Sequence, residues 1–232
     1  MDNSTFRKYT ARHLSPSFWS SLSITTQIVI VNVLIFLIFL IAFSFYPNLL
    51  PFVALQPAAI LSGKYWWTFI TSMFMHGGFL HLLVNMFSLF SIGMLVEKLL
   101  GKKRYLQFYL FSGLFAGLFF VLISFVFQTD LEAYAVGASG ALFALVGFLM
   151  IVTPNLPVFI LLIPVPIRMK YAAPGMLVLL WIISLSPMLF GGQQIPIGNT
   201  AHFGGLIAGV FYGVYIKKKY KHKAVMISKY FS

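Results

Sequence analysis

A serine and a histidine in this chain have the types that nucleophilic catalysis requires. Ser139 lies in the run Gly137-Ala138-Ser139-Gly140, and His202 follows Ala201. A serine hydroxyl becomes an effective nucleophile when a neighbouring base takes its proton, and the histidine pKa suits that transfer near neutral pH. No acidic residue lies beside either one in the sequence, so a third member of a catalytic triad is not expected.

The composition around these residues is that of a membrane protein. Of the 232 residues, 60% are hydrophobic and 9% are charged, which excludes a soluble domain with a charged coat. A polar side chain in lipid costs free energy unless it has a partner, so Ser139 and His202 are functional candidates. The absence of cysteine excludes disulfides, thiolate metal sites and a cysteine nucleophile.

Apolar runs predict an all-α membrane protein with six transmembrane helices, because each crossing needs about 20 residues. The predicted spans are 26–46, 79–98, 105–127, 136–153, 172–190 and 200–216. They form one domain, 26–216, between a basic N-terminal tail, 1–25, and a basic C-terminal tail, 217–232. The proline-rich segment 156–167 is too short to span and is predicted to be a cytoplasmic interfacial connection.

The basic residues set the predicted orientation. All lysines and arginines except Lys64 fall in the two tails or beside predicted inner ends of spans, so both termini are expected in the cytoplasm. We expect a multi-pass protein of a prokaryotic cell membrane. The net charge of +12 therefore reflects contact with the lipid bilayer, and no nucleic-acid partner is expected.

In this orientation the second, fourth and sixth spans all begin at the outer face. The candidate polar residues lie in or near the first turns of these spans and therefore share one depth in the membrane. They are His81 and Asn85 in the second span, Ser139 in the fourth and His202 in the sixth. His81 and Asn85 are four residues apart and therefore lie on the same helix face. The start of a helix also offers free N–H groups that can stabilise an oxyanion.

Two stripes of small residues predict how the fourth and sixth spans meet. One stripe contains Gly140, Ala144 and Gly147, and the other contains Ala201, Gly205, Gly209 and Gly213. Small residues let helices approach closely in lipid. If the stripes face each other, Ser139 and His202 come within hydrogen-bonding reach. Gly113 and Gly117 are interpreted as a further packing pair without chemistry, and Glu97, beside Lys98, as a structural carboxylate.

These residues together resemble the rhomboid family of intramembrane serine proteases in its basic six-helix form. The matching segments are His76-x4-His81-x3-Asn85, Gly93-x3-Glu97-x3-Gly101, Gly137-Ala138-Ser139-Gly140, and Ala201-His202-Phe203-Gly204-Gly205 leading to Gly209. The resemblance implies that Ser139 is the nucleophile and His202 the general base of a dyad that cleaves membrane-spanning protein substrates. It also assigns His81, Asn85 and the Ser139 backbone N–H to an oxyanion hole.

Position along the helices, together with the same resemblance, suggests supporting residues. Phe143, one turn after Ser139, would stack on His202, and His76 would hold water or loop structure. Gly137 and Gly140 would line a wall that admits a small residue at the scissile bond. By the resemblance, Trp181 aligns with a bulky gate residue and Val84 would lie opposite it, so substrate entry is expected between the second and fifth spans. The alternative is that Trp181 is only a lipid-facing packing residue.

This chain departs from the family pattern in two places. Many members have tyrosine where this chain has Phe143, so stacking must replace a phenolic hydrogen bond. Trp67-Thr68 aligns with a frequent Trp-Arg pair, which puts the internal anchoring of the first outer loop in doubt.

Other classes of protein fit less well. A metalloenzyme would need an H-E-x-x-H motif or a histidine pair at i, i+4, and neither is present. A transporter or channel would need paired ionisable residues at the middle of the spans. A catalytically inactive relative that binds membrane proteins would ordinarily have lost Ser139 or His202. No cofactor and no metal are expected.

Overall fold

The computed structural model describes residues 18–159, 165–190, 198–222 and 226. Long helices dominate the described part, and each covers one of the six predicted spans with ends shifted by a few residues. They are α1 Ile24–Phe45, α2 Phe79–Leu100, α3 Lys102–Phe127, α4 Ser139–Val152, α5 Met169–Phe190 and α6 Asn199–Lys219. Phe18–Ser21 forms one additional helical turn before α1.

Helices α1, α2 and α3 are each long and apolar enough to cross a membrane. Helix α4 has only 14 residues, fewer than the roughly 20 that a full crossing requires. The chain is therefore an integral membrane protein with several apolar helices. Crossing by all six helices and the inward orientation of both termini stay predictions.

Helix α4 lies at the centre of the fold. Every residue from Gly140 to Leu149 is buried, and α4 packs against α3, α5 and α6. A helix that is apolar on all sides belongs inside a bundle, not at its lipid-facing surface. This central position explains why α4 can be short, since its neighbours shield it from lipid.

Helices α4 and α6 pack so closely that their backbones are in contact, and we call this contact the α4–α6 seam. A Cβ built on Gly205 would collide with the carbonyl of Gly140, and one on Gly209 would collide with the carbonyl of Ala144. From the other side, a Cβ on Gly147 would meet the Leu206 carbonyl. The two small-residue stripes therefore face each other, as the sequence predicted.

The start of α1 is held by a carboxylate from α2. Glu97 is buried and accepts hydrogen bonds from the backbone N–H groups of Ile24 and Thr25, both 2.8 Å, and from the Thr25 hydroxyl, 2.7 Å. These first-turn N–H groups have no partner within their own helix. A carboxylate there also interacts favourably with the positive end of the helix dipole. The structural role predicted for Glu97 is confirmed.

The loop between α1 and α2 contains several short helical pieces. They are Pro47–Leu49, Leu50–Val53, Pro57–Leu61 and Thr68–Thr71. The Trp67 indole N–H donates to the Phe52 carbonyl at 2.8 Å, and the Thr71 hydroxyl donates to the Val53 carbonyl at 3.0 Å. These bonds anchor the loop although Thr68 stands where an arginine is frequent.

The same loop is clipped to the loop between α3 and α4. Leu55 and Ala135 exchange backbone hydrogen bonds of 3.1 Å and 2.8 Å in an isolated antiparallel bridge. The packing pair predicted on α3 also serves this loop, because a Cβ on Gly113 would meet Met73 and one on Gly117 would meet Leu55 and Phe69. The loop is therefore packed down onto the bundle.

Between α4 and α5, the predicted connection forms a narrow hairpin arm. Pro157–Val158 pairs antiparallel with Ile167–Arg168, and residues 160–164 of the connection lie outside the described part. Most of the predicted N-terminal tail, 1–17, and of the predicted C-terminal tail also lies outside the described part. The domain boundaries stay predictions.

The α4–α6 seam predicts a sharp difference between two glycine-to-alanine changes. Gly209→Ala should lower the unfolding free energy by about 1–3 kcal/mol, because backbone must move to admit the methyl group. Gly175→Ala on α5 is the matched control, since a Cβ there has no atom within 4 Å and alanine favours the helix by roughly 0.5–1 kcal/mol. Thermal unfolding in detergent measures both, and equal midpoints would contradict the close contact.

Candidate active site

The first turns of α4 and α6 bring the candidate nucleophile and base together. Ser139 is the first residue of α4, and His202 lies in the first turn of α6. The Ser139 Oγ and the His202 Nε2 are 2.7 Å apart, which is a normal hydrogen-bond length. Because α4 and α6 touch through Gly140 and Gly205, the two side chains can meet although 63 positions separate them.

The turn that presents Ser139 depends on Gly137. Its φ of +115° lies in a region that other residues rarely adopt, and its N–H donates to the Ser72 carbonyl at 2.8 Å. A Cβ on Gly137 would lie 2.9 Å from the His81 ring. Gly137 therefore permits both the turn into α4 and the close approach of His81.

Stacking holds the His202 ring. Phe143, one turn along α4 from Ser139, lies 4.7 Å from it between ring centroids, with the planes 21° apart. His202 is 7% exposed, and its Nδ1 has no hydrogen-bond partner among the described residues. When Nε2 accepts the serine proton, Nδ1 carries the ring's other hydrogen. Contact with Phe143 and the hydrogen bond to Ser139 are thus what orient the imidazole.

His81 and Asn85 lie on one face of α2, as their spacing predicted. The His81 ring is beside Gly137, which precedes Ser139 by two residues. The Asn85 side-chain amide donates to the His81 carbonyl at 2.8 Å, not to Ser139. One of its two amide hydrogens is therefore used within α2, and the other remains for a bound group.

The backbone N–H of Ser139 is a third donor at this point. As the first residue of α4, Ser139 has no carbonyl one turn earlier to which it could donate within the helix. The positive end of the α4 dipole also lies here. A negative oxygen beside Ser139 would meet these groups together with His81.

His76 lies in the loop just before α2 and is 2% exposed. Its ring is 5.2 Å from that of His81, edge to face, and neither ring nitrogen has a partner with hydrogen-bond geometry among the described residues. Burial, followed by the neighbouring His81, lowers the pKa of His76 to about 4. The ring is therefore neutral at physiological pH and contacts the His81 ring.

The predicted gate residues lie on separate helices. Trp181 on α5 is 53% exposed, and Val84 on α2 is half-buried. Helix α5 packs against α4 and α6. The sequence did not predict one set of contacts here. The Asn199 amide donates to the Ser184 hydroxyl at 2.7 Å, and that hydroxyl donates to the Trp181 carbonyl at 2.9 Å. The first of these bonds ties α5 to the start of α6. The available signal in the sequence was two polar residues in apolar helices.

Comparison with known proteins places this geometry in a family. Residues 63–219 match the family model of the Rhomboid domain. RHOMBOID-like protein 5 of Arabidopsis thaliana is 36% identical over 169 residues, which is 72% of this chain and 49% of that protein. Rhomboid protease GluP of Bacillus subtilis is 34% identical over 165 residues, which is 71% of this chain and 28% of GluP.

Rhomboid protease AarA of Providencia stuartii is similar to the same degree. It is 32% identical over 165 residues, covering 64% of this chain and 55% of AarA. The chain thus spans about half the length, or less, of these curated relatives. Since the Rhomboid domain match extends over more than half of this chain, the protein belongs to the rhomboid family.

Proposed function

We propose that this chain is a serine endopeptidase that cleaves peptide bonds in or near the transmembrane segments of membrane proteins. The observation that carries the proposal is the 2.7 Å contact between the Ser139 Oγ and the His202 Nε2. Membership of a family whose named relatives include rhomboid proteases supports it. The nucleophile is Ser139 and the general base is His202.

The reaction follows from the geometry of this pair. His202 Nε2 takes the proton of the Ser139 hydroxyl as Oγ attacks the substrate carbonyl carbon. The carbonyl oxygen becomes negative and receives hydrogen bonds from the Ser139 N–H, His81 and Asn85. The C–N bond then breaks, His202 returns its proton to the leaving amine, and an acyl group remains on Ser139. A water molecule, deprotonated by His202, hydrolyses this ester.

The pair works without a carboxylate. In a triad, an acid orients the histidine and stabilises its charged form. Here the stacked Phe143 ring performs the orientation. A protein interior holds side chains at crystal-like packing density, so contact alone can maintain an imidazole in one position.

The membrane determines the substrate class. The bundle spans the bilayer with both termini in the cytoplasm, so Ser139 and His202 lie near the outer surface. A peptide bond within a transmembrane helix is shielded, and unwinding it in lipid exposes backbone groups at several kcal/mol each. Cleavage therefore requires that water reach the unwound segment beside Ser139 and His81. Transmembrane proteins that carry helix-weakening residues in the outer part of their span are therefore the substrates.

Substrates enter between α2 and α5. Trp181 and Val84 lie on the two helices that border this route, and α5 is held from its other side by α4 and α6. Trp181 is large and exposed, so it has few contacts to lose when it moves aside. Bending of α5 away from α2 opens the route.

The dyad predicts that two single substitutions abolish activity. Ser139→Ala and His202→Ala should each lower cleavage of a single-span substrate in liposomes by roughly 10⁴-fold or more, and the double variant should lose no more, because the two residues act as one unit. His81→Ala and Asn85→Ala should each cost about 10²–10³-fold, since each removes one donor of several.

The controls for this experiment are matched changes elsewhere in the chain. Ser91→Ala removes an exposed serine of α2 whose hydroxyl bonds only to its own helix, and His222→Ala removes an exposed histidine. Both should cleave at the wild-type rate. Substantial cleavage by a folded Ser139→Ala variant would show that Ser139 is not the nucleophile, and no cleavage by the folded wild-type chain would favour a binding role.

The stacked ring predicts a graded effect at Phe143. Phe143→Leu should slow the labelling of Ser139 by a fluorophosphonate roughly three- to tenfold, because an aromatic contact is worth about 0.5–1.5 kcal/mol. Phe143→Tyr retains the ring and should label within about twofold of wild type on the same reasoning. Phe111→Leu, at an exposed ring of α3, is the control. If Phe143→Leu labels at the wild-type rate, the stack does not orient His202.

The proposed gate predicts that one variant gives different results in two assays. Trp181→Ala should increase the cleavage of a membrane-embedded substrate severalfold, because a smaller side chain eases entry, yet leave fluorophosphonate labelling unchanged, since a small reagent needs no open gate. Ile182→Ala, the next residue and similarly exposed, should change neither. Unchanged or slower cleavage by a folded Trp181→Ala variant would refute the gate.

A further inference from the structure

One end of the bundle concentrates positive charge without matching negative charge. The start of α3 and the end of α6 meet there and contribute Lys102, Lys103, Arg104, Lys217, Lys218 and Lys219. The carboxylate of Glu97, at this end, already accepts hydrogen bonds from the start of α1. In the described part of the chain, no Asp or Glu pairs with Arg104.

A cleft between α3 and α6 leads away from this charge. It has a volume of about 330 Å³ and is lined by Arg104, Gln107, Phe108, Phe111 and Tyr212. The four α3 residues follow the spacing i, i+3, i+4, i+7, so they form one continuous face of the helix. Arg104 and Gln107 lie at the charged end, and Phe111 lies further along α3, where its ring is 68% exposed.

The walls of the cleft are held in place by aromatic contacts. The rings of Phe108 and Tyr212 stack with centroids 4.4 Å apart, and Phe148 of α4 supports both rings from behind at 5.7 Å and 5.9 Å. The Arg104 guanidinium lies 5.4 Å from the centre of the Tyr220 ring, a cation–π contact that restricts its motion. The cleft therefore exists before anything binds, which lowers the cost of binding.

We propose that this cleft binds one anionic glycerophospholipid. The phosphate is held by the Arg104 guanidinium and the Gln107 amide, and an acyl chain lies along Phe108, Phe111 and Tyr212. A charged head joined to an apolar chain matches the order in which the polar and aromatic residues line the cleft. Arginine donors match phosphate geometry, and basic pockets between helices at the membrane surface favour anionic headgroups.

Simple electrostatics of a basic helix end would not distinguish Arg104 from its neighbours. Lysine and arginine side chains near helix ends reach toward the headgroups in general. Lys103 adjoins Arg104, is equally charged and exposed, and does not line the cleft. A specific lipid site therefore requires Arg104 and tolerates the loss of Lys103, whereas diffuse attraction depends equally on both.

Native mass spectrometry of the full chain in detergent, titrated with phosphatidylglycerol, tests this site. Wild type and Lys103→Gln should retain one tightly bound lipid with equal affinity, and Arg104→Gln should bind it roughly tenfold or more weakly, because it loses a charged hydrogen-bond donor. Phe111→Ser, at an exposed position, should also weaken binding by removing contact with the acyl chain. Phosphatidylcholine should bind more weakly than phosphatidylglycerol.

Three results would overturn the proposal. Equal weakening by Lys103→Gln and Arg104→Gln would show diffuse attraction in place of a site. Phosphatidylcholine has the same phosphate beside a choline cation, so equal affinity for it would show that the site does not select an anionic lipid. Displacement of the lipid by inorganic phosphate alone, together with unchanged binding by Phe111→Ser, would show an anion site without an acyl-chain contact. Because none of these variants touches Ser139 or His202, the outcome is independent of the proteolytic activity.

Discussion

The backbone contact between α4 and α6 is the constraint on which the site depends. In lipid, apolar side chains gain little by leaving the surrounding hydrocarbon, so helix association relies on close packing. Gly205 against the Gly140 carbonyl and Gly209 against the Ala144 carbonyl bring the two helices as near as backbones allow. At the end of this seam, the distance between Ser139 and His202 is set by the helices themselves. A methyl group in the seam would separate the pair as well as the helices.

The rest of the site is assembled around this pair by contacts of different kinds. The left-handed turn at Gly137 and its hydrogen bond to the Ser72 carbonyl connect the start of α4 to the first outer loop. The same glycine leaves room for His81 from α2. Ring packing takes the place of ionic contacts in the site: Phe143 lies on His202, and His76 lies on His81. A site held by ring contacts needs no ion pair, which suits a protein in lipid, where an uncompensated charge is costly.

Charge lies away from the candidate site and serves other purposes. Glu97 binds the free N–H groups of α1 and thereby joins α1 to α2 at the end opposite the candidate site. Lys102 donates to the Leu22 carbonyl at 2.8 Å just before α1. The remaining cations at this end face outward, where the lipid headgroups are the available counter-charges. The candidate catalytic pair and the exposed cations thus lie at opposite ends of the helices.

The sequence by itself determined where the long helices lie, because lipid requires uninterrupted apolar runs. It indicated Ser139 and His202 as candidates, because they are polar residues within apolar helices, and the small-residue stripes, because their residues recur at helical spacing. It also indicated the family. Only the tertiary structure decided that α4 begins at Ser139 after the turn at Gly137, and that Thr71 and Trp67 anchor a loop without an arginine. It alone showed that Asn199 bonds to Ser184 and that Asn85 donates to the His81 carbonyl. Helical spacing is a local property that can be counted along the chain. Which polar atom finds which partner depends on distances and rotamers that exist only after the helices have packed.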